Sequence, residues 1–266
     1  MKVKERCTTI TKPNYISNSF VKLNNVIGTH KLFCFPHAGG SSTYFKKWGG
    51  ICEELEIELI AIQYRGRRKR VLEEPIDTME GLVHELLVEF AEISDDQPFS
   101  FFGHSLGGMV CFELCRQLYE SKQRLPKELF LSSCRTPLNR KSTKQIYHLS
   151  DEEFIKTLKK LNGTSSEVLD HPLFSSLFLP MLRADFKIAG TYHIPFITPL
   201  PVSITCMVGE SDFISEEEVL EWEKYTSVEY NHRLFHGDHF YLNQHVTEIV
   251  HIINAKIEPR VISKSS

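Results

Sequence analysis

Apolar residues gather along this chain in short runs, separated by longer stretches with a helical repeat. Six of the runs, at 31–35, 57–63, 99–102, 128–133, 202–208 and 229–235, have the length and residue types of buried strands. The stretches 78–93, 106–119, 216–225 and 242–257 carry their apolar residues on one helical face. Strands that alternate with helices are joined by crossovers, so the expected fold is α/β, a mostly parallel central sheet flanked by helices.

The alternation breaks between about residues 136 and 200, where two helical patterns follow each other with no strand between. Ser150, Asp151, Glu152 and Glu153 form a capping box, after which Phe154, Ile155, Leu158 and Leu161 share a face and Asn162-Gly163 ends the pattern. A second start at Asp170-His171-Pro172 leads into Leu173, Phe174, Leu177, Phe178, Met181, Leu182 and Phe186. The pair reads either as ordinary core helices or as a helical lid inserted into a single domain spanning residues 1–266. Pro195, Pro199 and Pro201 stiffen the return to the sheet.

Composition narrows the class without naming a reaction. The chain has 266 residues, 41% of them hydrophobic, enough to bury a substantial core. A net charge of -3 gives no global reason to expect nucleic acid or an anionic membrane as partner. Seven cysteines, an odd number, make no disulfide framework, and no run approaches a membrane span or a signal peptide. The expectation is a cytoplasmic protein, working as a monomer.

Candidate chemistry begins at FSFFGHSLGGMV, residues 99–110, where a strand pattern breaks at Gly103-His104-Ser105-Leu106-Gly107 and resumes as a helix. This is a G-x-S-x-G elbow, which pins a serine on a tight strand-to-helix turn beside a base. A serine nucleophile needs a histidine and a carboxylate, and in α/β hydrolases they follow in the order Ser, acid, His. His239, just beyond the last strand, is the expected base, with His236 as competitor. Asp212, in the polar turn after the run ending at Gly209, is the expected acid; Glu210 is close enough to compete, and Asp238 adjoins its would-be partner. The glycines of Phe35-Pro36-His37-Ala38-Gly39-Gly40-Ser41 suit an oxyanion hole built from the N–H groups of Ala38 and Leu106. A metal site from His232, His236 and His239 fits no common zinc spacing. No metal is expected.

Four motifs in order, FPHAGGSSTYFKKW, QYRGRRKR, FFGHSLGG and GDHFYL, resemble those of type II thioesterases, the stand-alone editing enzymes of nonribosomal peptide and polyketide synthetases. The stretch LSDEEFIKTLKKLNGTSSEVLDHPLFSSLFLPMLRADFKIAGTYH is similar to that family's lid, and the likeness covers roughly residues 30–250. The resemblance implies an α/β-hydrolase fold and hydrolysis of acyl groups from the phosphopantetheine thiol of acyl or peptidyl carrier domains. Ser105 would be nucleophile, His239 base and Asp212 acid, with no cofactor, since phosphopantetheine is part of the substrate. Where family members commonly carry proline before the glycine of the glycine-arginine loop, this chain has Arg65. Arg67, Arg68 and Arg70 of that loop are candidates for attracting an acidic carrier domain or its phosphate. A medium-chain thioesterase of fatty acid synthesis, a general carboxylesterase and a non-catalytic carrier-binding module remain as alternatives.

Overall fold

The computed structural model describes residues 14–138, 145–161, 178–196 and 198–258. Among them, eight strands form one sheet: β1 (Asn14–Tyr15), β2 (Phe20–Lys22), β3 (His30–Phe35), β4 (Ile57–Ile62), β5 (Phe99–His104), β6 (Glu128–Ser132), β7 (Ser203–Gly209) and β8 (Tyr230–Phe235). Their order is β1-β2-β4-β3-β5-β6-β7-β8, with β3 to β8 parallel, β2 antiparallel to β4 and β1 antiparallel to β2. All six strands expected from the apolar runs are present. The two short N-terminal strands were not expected, because three residues are too few to show a period. Pairing holds β2 in place: Phe20 and Val21 lie opposite Ile62 and Ala61 and are fully buried.

Successive side chains of a strand point to opposite faces of the sheet. In β3, Phe33 and Phe35 enter one core while Leu32 and Cys34 enter the other. Both faces are covered, so the parallel strands read as continuous apolar runs rather than alternating ones. One face packs α2 (Met79–Ile93) and α3 (Leu106–Glu120), and the other packs α1 (Gly49–Glu54) and α7 (Val246–Ile257). The helix expected over 216–225 divides into α6 (Glu216–Leu220) and a 3-10 turn, Glu221–Tyr225; that expected over 242–257 starts only at Val246.

Between β6 and β7 lie α4 (Asp151–Lys160) and α5 (Leu179–Thr191). Ser150 caps α4, its hydroxyl accepting from the Glu153 N–H. Phe154, Leu158, Leu179, Met181 and Leu182 form a small core of their own. The second helix start expected at 170–172 lies outside the described residues, and α5 continues past Phe186 to Thr191.

The strand order reverses at β3, which has β4 on one side and β5 on the other. Loops leaving the carboxyl ends of neighbouring strands diverge at such a point and open a crevice. The loops after β3, β4, β5, β7 and β8 carry the residues singled out by the motifs.

Candidate active site

Ser105 stands between β5 and α3 with φ 55° and ψ −118°, a backbone conformation that non-glycine residues rarely adopt. The turn is tight enough that a Cβ on Gly103 would fall 2.2 Å from the Gly107 carbonyl oxygen, and one on Gly107 would fall 2.0 Å from that of Phe35. Both glycines of the motif are therefore steric requirements. The Ser105 N–H donates to the Ser132 carbonyl at 2.8 Å, tying the elbow to β6. Leu106 opens α3, where an N–H has no intrahelical acceptor.

His239 and Asp212 meet across the loops after β8 and β7. The imidazole Nδ1 lies 2.9 Å and 3.1 Å from the two carboxylate oxygens of Asp212. That carboxylate is buried, and it also accepts from the Ser133 hydroxyl at 2.6 Å and the Ile214 N–H at 3.1 Å. Burial alone would raise its pKa; the hydrogen bond and charge of His239, with the bonds from Ser133 and Ile214, hold it below the ordinary carboxylate value. Phe213 stacks on the imidazole at 4.3 Å between ring centroids.

The competing residues face elsewhere. His236 is exposed and lies 3.4 Å from a carboxylate oxygen of exposed Glu210, while Asp238 accepts the Phe240 N–H and shapes the turn. His232 pairs with Glu216 instead of joining a histidine cluster. Among the described residues, no group of three or more His, Cys, Asp or Glu is placed to hold a metal ion.

Two further histidines flank His239. His104 packs 5.0 Å from it and His37 packs 5.8 Å from His104. Burial, and next the charge of His239, push the His104 pKa well below its ordinary value and that of His37 down to about 3. Both rings are thus neutral, and a positive charge forming on His239 meets one carboxylate and no opposing cation from them. His104 Nδ1 lies 2.9 Å from the Ser132 hydroxyl, which bonds the Tyr241 hydroxyl at 2.7 Å, so the ring behind the site is itself held.

Ser105, His239, Ala38 and Leu106 line one cavity, with Phe213 on one side and Leu158, Leu161, Leu182, Phe186 and Ala189 from the two helices between β6 and β7 on another. The structure therefore brings together all five residues that the motifs nominated for acyl transfer, Asp212 through His239. It also adds residues that sequence reasoning missed. Ser133 supports the acid from the end of β6, and nothing in a Ser-Ser-Cys run marks it. Asp185 had a signal: it is a lone carboxylate on a buried face of α5, between Leu182, Ala184 and Ile188.

Asp185 explains where the glycine-arginine loop goes. Its carboxylate accepts from Arg67 Nη1 and Nη2 at 2.9 Å and 2.7 Å, and from the Gly39 N–H at 2.7 Å, while Arg67 also donates to the Gly40 carbonyl at 2.8 Å. Arg70 is likewise buried, paired with Glu73 at 2.6 Å and Glu85 at 3.0 Å and donating to the Ser19 hydroxyl. The expectation that Arg67 and Arg70 face a carrier domain is corrected: a guanidinium taken out of water needs a carboxylate to offset its lost hydration, and here both are so matched. Arg68 alone of the three is exposed; it donates to the Thr43 hydroxyl at 2.8 Å.

A nucleophile elbow, a histidine held by a buried carboxylate, and a glycine-rich loop at the carboxyl ends of a parallel sheet define an α/β hydrolase of the serine type. The family model described as "Thioesterase domain" matches residues 30–257, and the chain belongs to that family and is a thioester hydrolase. It is 34% identical over 238 residues to the gramicidin S biosynthesis protein GrsT of Aneurinibacillus migulanus, covering 88% of this chain and 92% of that protein. It is 35% identical over 238 residues to the medium-chain S-acyl fatty acid synthase thioesterase of Homo sapiens, covering 87% of each. Among solved structures, the type II thioesterase BorB from the borrelidin biosynthetic cluster superposes with a TM-score of 0.83 at 28% identity, covering 92% of this chain and 100% of that one.

Proposed function

We propose that this protein hydrolyses acyl thioesters carried on the phosphopantetheine arm of acyl or peptidyl carrier domains, clearing misprimed or stalled acyl groups from a nonribosomal peptide or polyketide synthetase. The observation that carries the reading is a serine elbow and a carboxylate-held histidine on one apolar cavity roofed by α4 and α5. The likeness to GrsT and BorB supports the choice of synthetase carriers.

In this reading Ser105 Oγ gives its proton to His239 Nε2 and attacks the thioester carbonyl carbon. The oxyanion is met by the N–H groups of Ala38 and Leu106, and the imidazolium by Asp212. The tetrahedral intermediate collapses with cleavage of the C–S bond, and His239 returns the proton to the leaving thiolate. A water, deprotonated by the same histidine, then attacks the acyl-serine and frees the acid. The acyl chain lies against Leu158, Leu161, Leu182, Phe186 and Ala189, so the two helices act as a lid. No metal or dissociable cofactor takes part.

Mass spectrometry of acyl-loaded carrier domains, before and after addition of the protein, tests this. The expected result is release of holo-carrier by the wild type and none above background by Ser105→Ala. Preference for medium-chain fatty acyl carriers would move the assignment to fatty acid synthesis. Failure of a fluorophosphonate to label intact Ser105 would reduce the chain to a carrier-binding module.

A further inference from the structure

The turn after β3, residues 37–40, bears the N–H of Ala38, and Ala38 lines the cavity with Ser105 and Leu106. That N–H has no acceptor among the described residues, so nothing there competes with an oxyanion for it. Its aim is set by its own peptide plane. The His37–Ala38 peptide is trans, so its carbonyl and its N–H point opposite ways. The carbonyl, that of His37, accepts the Gly40 N–H at 2.8 Å. Whatever holds residues 39 and 40 in place therefore aims the Ala38 N–H.

Two buried side chains from distant parts of the chain do so. Asp185 accepts the Gly39 N–H at 2.7 Å, and Arg67 Nη1 donates to the Gly40 carbonyl at 2.8 Å. The two are joined by a fork of bonds at 2.9 Å and 2.7 Å, which fixes each by the other. We propose that Asp185 is a positioning residue for acyl transfer: with Arg67 it clamps the turn and so points the Ala38 N–H at the oxyanion. In the thioesterase reading, on which this rests, Asp185 touches neither substrate nor reacting atoms and acts only through the loop.

An ion pair taken out of water is a poor device for stability alone, since an apolar pair of similar volume is often as stable or more so. What an apolar pair cannot make are the bonds to Gly39 and Gly40. The packing around the pair has the same purpose. A Cβ on Gly39, whose φ is 79°, would fall 2.6 Å from Leu182 Cδ2, and one on Gly66 would fall 3.2 Å from Met181 Cβ. Helix α5 thus rests on both loops through consecutive residues, and Asp185 lies one turn further along the same face. Leu182 also walls the cavity, with Phe186 and Ala189. One helix sets both where the acyl chain lies and where the oxyanion is received.

The oxyanion hole serves the tetrahedral intermediates of acylation and deacylation alike, so misaiming it lowers kcat whichever step is slower and spares ground-state binding. The test uses two variants. Arg67→Met combined with Asp185→Leu replaces the clamp by a matched apolar pair, whereas Arg67→Lys keeps a charge beside Asp185 but not the fork that spans to Gly40. On an acyl-pantetheine thioester, kcat should fall about tenfold to a hundredfold in the double variant and about threefold in Arg67→Lys, with KM within about twofold of the wild type. A trifluoromethyl ketone bearing the same acyl chain adds to Ser105 as an oxyanion. Its affinity should weaken by the same factor as kcat/KM, while that of the free acid stays unchanged. A wild-type kcat in either variant would overturn the proposal, as would equal weakening of ketone and acid; if the double variant does not fold, Arg67→Lys decides alone. A wild type that neither cleaves the thioester nor binds the ketone would instead overturn the thioesterase reading.

Discussion

The Asp212 carboxylate is out of contact with water, so its charge is sustained by donors: the His239 imidazole, the Ser133 hydroxyl and the Ile214 N–H. Each bond favours the ionised form, and together they outweigh the cost of burial. Ser133 is the donor that a substitution removes most cleanly. It also sits at φ 49°, so its hydroxyl is aimed by an unusual backbone. Ser133→Ala removes one of the bonds that hold the Asp212 pKa down, so this carboxylate should take up a proton at a higher pH than in the wild type. Its support of His239 is weakened with it, and kcat at neutral pH should fall about threefold to tenfold. A kcat identical to that of the wild type across the pH range would reduce Ser133 to a packing role.

At the level of elements, the link that stands out joins α5 to the loops after β3 and β4. Asp185 holds Arg67 and the Gly39 N–H at once, so the helix that walls the cavity at Ser105 also braces the loop bearing Ala38. Asp185→Ala leaves a buried guanidinium without its counter-charge, and such a loss costs about 3–5 kcal/mol. Urea unfolding should show that drop, and Arg67→Met combined with Asp185→Leu should recover more than half of it. A midpoint unmoved by Asp185→Ala would mean that solvent reaches the pair. These elements also show what the chain discloses in one dimension. The six long strands and the helix cap at Ser150 were legible because period, length and cap chemistry are local; of the expected capping box only the Ser150 half forms, since the Glu153 carboxylate takes the Ser150 hydroxyl instead of the Ser150 N–H. The strand Phe20–Lys22 was not, since its stability comes from Ile60, Ala61 and Ile62 opposite. The same holds for Arg67 and Arg70, which look like surface charge until partners 118 and 15 residues away are known. Ser105, His239 and Asp212 were legible because each lies just past a readable strand.

The molecule as a whole is built around histidines that fold in their neutral form. His30, beside Ser100 and remote from the serine, is pushed down to about 4 by burial and then by the Lys127 charge; His37 falls to about 3. In the unfolded chain both titrate near about 6.5. Below that value the unfolded state binds protons that the folded state refuses, so stability is whole above it and is lost as pH falls towards the folded values. The urea midpoint should decline between about pH 7 and 5, with His30 alone accounting for about 2 kcal/mol. His30→Gln should flatten part of that slope; an equally steep decline in the variant would assign the effect elsewhere. The strand order has a further consequence for how the protein comes into being. In the proposed mechanism the serine and the oxyanion loop follow β5 and β3, whereas the base follows β8, the last strand of the sheet among the described residues. Synthesis runs from the N-terminus, so a chain still on the ribosome carries Ser105 well before His239 emerges. On that mechanism the young polypeptide is chemically unarmed, and it becomes able to attack thioesters only when β8 docks.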